Sequence, residues 1–209
     1  MSVKKEIEKK IRYAQKGKMY IMSDFSNLGE YNNIKINIQN LVKEGKLQKI
    51  YTGIYMKPNY AEFLKIDLPP NIYDLIQTYA RKFNWTITPS GNTAMNMLGL
   101  DTQVPAKINY ISTGPTRTIN IDGRQIHFRH KSLRDSNYSQ PTALLIEGLK
   151  TFREKYGLEH IDDTILITIN NRFTDEQMNK IEKEALTTRA WIRDLIKRMQ
   201  VLRSREKNK

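Results

Sequence analysis

The chain has 209 residues, no cysteine, and a formal charge of +13 from 35 lysines and arginines against 22 acidic residues. Lack of cysteine excludes a disulfide scaffold, a thiolate metal site and a cysteine nucleophile, and the positive balance favours nucleic acid, an anionic membrane or an acidic protein as partner. No apolar stretch follows the lysines of the N-terminus and no apolar run approaches the ~18 residues of a bilayer span, so the expectation is a soluble, cytoplasmic chain of two domains with no membrane partner.

Val3, Ile7, Ile11 and Ala14 recur at helical spacing and predict an amphipathic helix over 3–16, closed by Gly17. Residues 19–22 read as a short strand. Ser23 is the expected N-cap of a helix opening at Ser23-Asp24-Phe25, because its hydroxyl can accept from free amides of the next turn. A further helix over 32–44 turns Ile34, Ile38, Leu41 and Val42 inward. After Gly45, residues 46–55 alternate and carry Gly53, the pattern of a β-ribbon. A helix followed at once by a basic ribbon suits a winged helix-turn-helix, with the helix in a major groove and the ribbon on neighbouring phosphates.

On that reading Asn32, Asn33, Ile36, Gln39 and Asn40 approach base edges, since a side-chain amide can pair bidentately with adenine. Lys35, Lys43, Lys46, Lys49 and Tyr51 contact phosphates and fix register. The plain alternative is a solvated helix face. The ribbon and the charge weigh against it.

Pro58-Asn59 and Leu68-Pro69-Pro70 bracket a connector, which divides the chain into a DNA-binding domain over 1–58, a linker over 59–70 and a second domain over 71–209. In the second domain a helix over 71–83 buries Ile72, Leu75, Ile76, Tyr79, Ala80 and Phe83. A brief extended piece at 86–88 precedes Pro89-Ser90-Gly91, where Ser90 is read as the N-cap of a short helix ended by Gly99. Residues 107–112 read as a strand. Asp122-Gly123 marks a two-residue hairpin turn that pairs Ile119 with Ile126 and Ile121 with Arg124. A helix starts at Pro141, and 164–169 reads as a covered strand. Thr174-Asp175-Glu176-Gln177 predicts a capping box. A final basic helix turns Trp191, Leu195, Met199 and Leu202 inward, and 206–209 should fray. The predicted class is α+β, with a winged helix-turn-helix followed by a mixed α/β domain holding a small sheet.

Several of these residues occur together in a known family. Gly17, Ser23-Asp24-Phe25, Leu41-Val42-Lys43-Glu44-Gly45-Lys46-Leu47 and Gly53-Ile54-Tyr55 stand in its order, as do Thr88-Pro89-Ser90-Gly91, Asn96 and the string Leu98-Gly99-Leu100-Asp101-Thr102-Gln103-Val104-Pro105-Ala106. Over 3–134 the chain resembles the AbiEi-type antitoxins of type IV, abortive-infection toxin–antitoxin systems used in phage defence. The resemblance implies a transcriptional autorepressor that binds inverted repeats in its own promoter. It also implies a second domain that counters a nucleotidyltransferase-type toxin without a stable complex. The sequence departs from the family where Thr52 precedes Gly53 in place of arginine and where the helix offers asparagine, glutamine and lysine. That points to an A·T-rich operator.

Catalytic chemistry is not expected. His127 and His130 are three apart in a strand and face opposite ways, so no metal site is read there. Asp162-Asp163 reads as a solvated turn, and no phosphate loop or nucleophile elbow occurs. Neither cofactor nor catalytic residue is assigned. The alternatives are a nucleic-acid-processing enzyme with a winged-helix delivery domain, and a protein-interaction module.

Overall fold

A computed structural model describes residues 2–103, 105–121, 123–131 and 138–207 of a mixed α+β chain. Val104, Asp122, Asn208 and Lys209, on which parts of the sequence reading fall, lie outside the described residues. Contacts divide the chain into two compact units, Met1–Trp85 and Thr86–Lys209.

The first unit runs α1 (Val3–Arg12), β1 (Met19–Ile21), a 3-10 helix (Met22–Leu28), α2 (Tyr31–Lys43), β2 (Gln48–Tyr51) and β3 (Ile54–Met56). Its strands form a three-stranded antiparallel sheet in the order β1-β3-β2. The apolar stripes of both helices meet, so Ile7, Ile11, Ile34, Ile38 and Leu41 share a core with Tyr20, Phe25 and Leu47. Ser23 is not the cap expected of it. The Asp24 carboxylate reaches back to accept from the Ile21 amide at 2.8 Å, while Ser23 is exposed. The 3-10 helix opens at Met22 with Ile21 at its N-cap, so Ser23 falls inside the first turn, where its hydroxyl is not placed to accept from the amides that follow a cap.

The connector is also more ordered than its prolines imply. It forms a small hairpin, β4 (Tyr60–Ala61) with β5 (Ile66–Asp67), whose Phe63, Leu64 and Ile66 are exposed. Beyond it comes α3 (Ile72–Lys82), capped by Asn71, whose side chain accepts from the amides of Tyr73 and Asp74. This helix packs on β1 within the first unit. The division between units therefore falls after Trp85 and not in the connector at 59–70. Three ties show why. Arg81 clamps Asp24 through both guanidinium nitrogens, Lys82 Nζ donates to the Thr52 carbonyl at 2.6 Å, and Tyr51 meets Tyr79 edge-on at 5.6 Å. The apolar periodicity of α3 reveals a buried face at Leu75, Ile76, Tyr79 and Ala80, but Phe83, expected in the same stripe, is exposed where the helix ends; nor does the periodicity reveal which neighbour buries that face.

The second unit holds a four-stranded sheet in the order β6-β7-β9-β8, made of β6 (Ile87–Pro89), β7 (Lys107–Ser112), β8 (Arg117–Ile121) and β9 (Arg124–His130). β7 and β9 run parallel, and the other pairs are antiparallel. The β8–β9 register places Ile119 opposite Ile126 and Ile121 opposite Arg124, as the alternation requires, with Ile119, Ile121, Ile126 and Phe128 all buried. Between β6 and β7 lies α4 (Gly91–Met97). Ser90 occupies its N-cap position without a side-chain capping bond.

Helices complete this unit: α5 (Gln140–Tyr156), a 3-10 turn (Leu158–His160), α6 (Asp163–Asn170), α7 (Asp175–Ala185) and α8 (Ala190–Lys207). Leu145, Leu149, Leu166, Ile169, Ile181, Ile196 and Met199 form their common core. The strand expected at 164–169 is instead helix α6. A short apolar run fits either state, and here Asp162 decides it, accepting from the Ile165 amide at 2.9 Å as the N-cap. Asp163 next to it pairs with Arg198 at 2.6 Å. The Thr174 capping box forms as the sequence predicts, with Gln177 reaching back to the Thr174 amide. Gly148 lets α5 approach α4: a Cβ there would lie 2.2 Å from Leu98 Cδ1. Leu98 is fully buried, so Gly148→Ala should destabilise the unit by about 1–3 kcal/mol through overpacking. A denaturant midpoint unchanged by that substitution would contradict this packing.

Candidate nucleic-acid interface

Helix α2 buries Ile34, Ile38 and Leu41, and its 3.6-residue period then throws the remaining positions outward. Asn32, Asn33, Ile36, Gln39, Lys35 and Lys43 are exposed and Asn40 is half-buried. Ile36 is the notable member, since 57% of it remains exposed on a helix with a well-filled apolar side. Asn33 Oδ1 accepts from Asn37 Nδ2 at 2.8 Å, one turn along the helix. Gly45 follows the helix with φ +71°, a left-handed conformation that turns the chain directly into β2.

The five residues expected on phosphates differ in their surroundings. Lys35, Lys43 and Lys49 are exposed. Tyr51 is half-buried with its ring on Tyr79. Lys46 lies between two carboxylates, 2.8 Å from Glu8 and 2.7 Å from Glu44, so much of its charge is balanced within the unit. Glu44 also takes Lys4 at 2.8 Å. Hydrogen bonds from Lys4 and then Lys46 hold the Glu44 carboxyl down to about 2. Because this folded value lies below the unfolded one, the contribution is present above the ordinary carboxylate range and is lost as pH falls through about 2. A carbon-detected NMR titration at low salt should give a Glu44 midpoint near 2 that rises with added salt. An ordinary midpoint at low salt would show that the Lys4–Glu44–Lys46 chain does not form in solution.

Sequence reasoning overlooked α3 as part of this surface's support. Lys82 Nζ lies 3.1 Å from where a Gly53 Cβ would sit, and its bond to the Thr52 carbonyl pins the β2–β3 turn from below. Partial burial lowers the Lys82 pKa. The only sequence signal was the run of basic residues closing α3.

Elsewhere the histidines are held singly: His127 Nδ1 lies 2.9 Å from Thr118 Oγ1 and His130 Nδ1 lies 2.8 Å from the Gly114 carbonyl. Trp85 stacks on Phe83 at 5.1 Å, and Arg153 lies over the Trp191 ring at 4.9 Å. No helix among the described residues is long and apolar enough to cross a membrane.

The molecule is thus a two-unit α+β chain with a small helical and sheet-bearing first unit and a larger second one. It belongs to the family described as of unknown function, DUF6088, which residues 6–181 match across both units. No curated protein matches the chain.

Proposed function

We propose that the first unit is a winged helix-turn-helix that binds double-stranded DNA, and that the chain is an AbiEi-like antitoxin repressing its own type IV operon. The observation that carries this reading is the outer side of α2: exposed amides and an exposed isoleucine, flanked by exposed lysines, on the helix that leads into the ribbon. Element order supports it too. Helix, strand, short helical turn, helix and ribbon, with the first strand beside the last, is the arrangement that offers the second long helix to a major groove. Amides suit adenine and the Ile36 side chain suits a thymine methyl, which favours an A·T-rich site. Lys35, Lys43 and Lys49 would sit on phosphates, and Lys46 would do so only by leaving its carboxylates. Tyr51 would add a hydroxyl from the ribbon while its ring stays on Tyr79.

The second unit is assigned the antitoxin role, acting against a nucleotidyltransferase-type toxin without a lasting complex. The test is co-expression. The adjacent open reading frame should encode such a toxin, its expression alone should arrest growth, and the full chain should restore it. Growth arrest that persists with the full chain present, or a neighbour of unrelated chemistry, would remove the antitoxin part and leave the DNA-binding part standing.

A further inference from the structure

The parallel strands β7 and β9 end at Ser112 and His130, and a polar cleft of about 780 Å³ reaches from their side to α5. Arg129, Lys131, Lys150 and Arg189 line it, with Glu147 and Glu154 as the opposing charges. Glu147 is 8% exposed, and its Oε1 takes Lys150 Nζ at 3.1 Å and Lys131 Nζ at 3.4 Å. One carboxylate shared by two ammonium groups leaves a surplus positive charge, fixed in place on a rigid helix and a strand end. Arg129 and Arg189 make no side-chain hydrogen bond or ion pair among the described residues. A smaller recess of about 210 Å³ shares Lys131, Glu147, Lys150 and Arg189 with the cleft, and Ile111, Ile146, Ile192 and Thr188 are among its walls. The two spaces are therefore neighbours with a common cationic rim.

We propose that this composite site binds a nucleoside phosphate, with the phosphates on Lys131, Lys150 and Arg189 and the base in the recess. Three features set that chemistry. The cationic rim carries more positive than negative charge and already holds its lysines in place, so an anion meets fixed donors and not mobile ones. Apolar walls with a few hydroxyls suit a flat heteroaromatic ring with hydrogen-bonding edges, and the outer cleft falls in the range of about 300–1,000 Å³ usual for small-ligand sites. The shared rim places both ends of one ligand within reach. All of its lining residues belong to the second unit.

The experiment is isothermal titration of the full chain with ATP, GTP, CTP and UTP, and separately with inorganic tripolyphosphate. At least one nucleotide should saturate a single site, with tripolyphosphate at least tenfold weaker because it leaves the recess empty. Arg189→Ser, at an exposed residue without a side-chain partner to orphan among the described residues, should weaken that nucleotide at least tenfold, and Lys150→Gln should do likewise. Binding of DNA by Arg189→Ser should match the unsubstituted chain. No saturable nucleotide binding, or binding undiminished in Arg189→Ser, would overturn the site. Tripolyphosphate equal to the nucleotide would overturn the assignment of the recess, and nucleotide competing with DNA would place the ligand on α2 instead.

Discussion

Alanine in place of Asn40 is expected to leave affinity for random DNA unchanged while removing most of the preference for the chain's own operator. Asn40 sits half-buried on the outer side of α2, beside Ile36 and Lys43 one turn away on either side. A bidentate amide–adenine pair carries about 1–3 kcal/mol of discrimination, so the operator-to-random ratio should fall at least fivefold, and up to about a hundredfold. The substitution raises helix propensity, so loss of fold does not compete as an explanation. Lys43→Ala supplies the contrast. It should weaken operator and random DNA alike and make the plot of log affinity against log salt shallower by about 0.9, the signature of one lost phosphate contact. If Asn40→Ala kept full discrimination in a gel-shift titration, α2 would not be the reading helix.

The second large effect concerns folding of the other unit. Arg203→Ala should destabilise it by about 3 kcal/mol. The guanidinium donates at 2.9 Å to the carbonyls of Asn170 and Phe173 and lies 2.7 Å from Asp175, joining the end of α6, the following turn and the start of α7 to α8. Hydrogen bonds to a charged group contribute about 1.5–3 kcal/mol each, and their loss orphans carbonyls that the helix end cannot satisfy. Lysine should restore little, because one ammonium cannot span three acceptors set for a planar fork. The control is Arg205→Ala, at an exposed position, expected within about 0.5 kcal/mol of the parent. Equal denaturation midpoints for the two variants would contradict the clamp. The same geometry makes the basic last helix a structural brace, since Arg193, Arg198 and Arg203 all end on carbonyls or carboxylates of their own unit.

What could be read from the sequence follows the range of the interactions involved. The β8–β9 hairpin was legible because alternation fixes register through neighbours close in the chain, and the Thr174 box because its partners are three apart. The stripe of α2 was legible for the same reason. Helix α6 was not, since Thr164 to Ile169 lacks a distinguishing period and only the Asp162 cap tips the balance. Placement of α3 was not legible either. It depends on Arg81 reaching Asp24 and Lys82 reaching Thr52, partners that no local pattern connects. The ion pairs of Lys46 show the same limit: as a basic residue after a helix it read as a phosphate contact, and only the fold brings Glu8 to it.

The most direct measurement is a footprint of the full chain on the stretch of DNA preceding its own gene. Protection of an inverted, A·T-rich repeat, lost selectively in Asn40→Ala and salt-dependent throughout, is the predicted result. Folded protein that protects no segment there at low salt would contradict it.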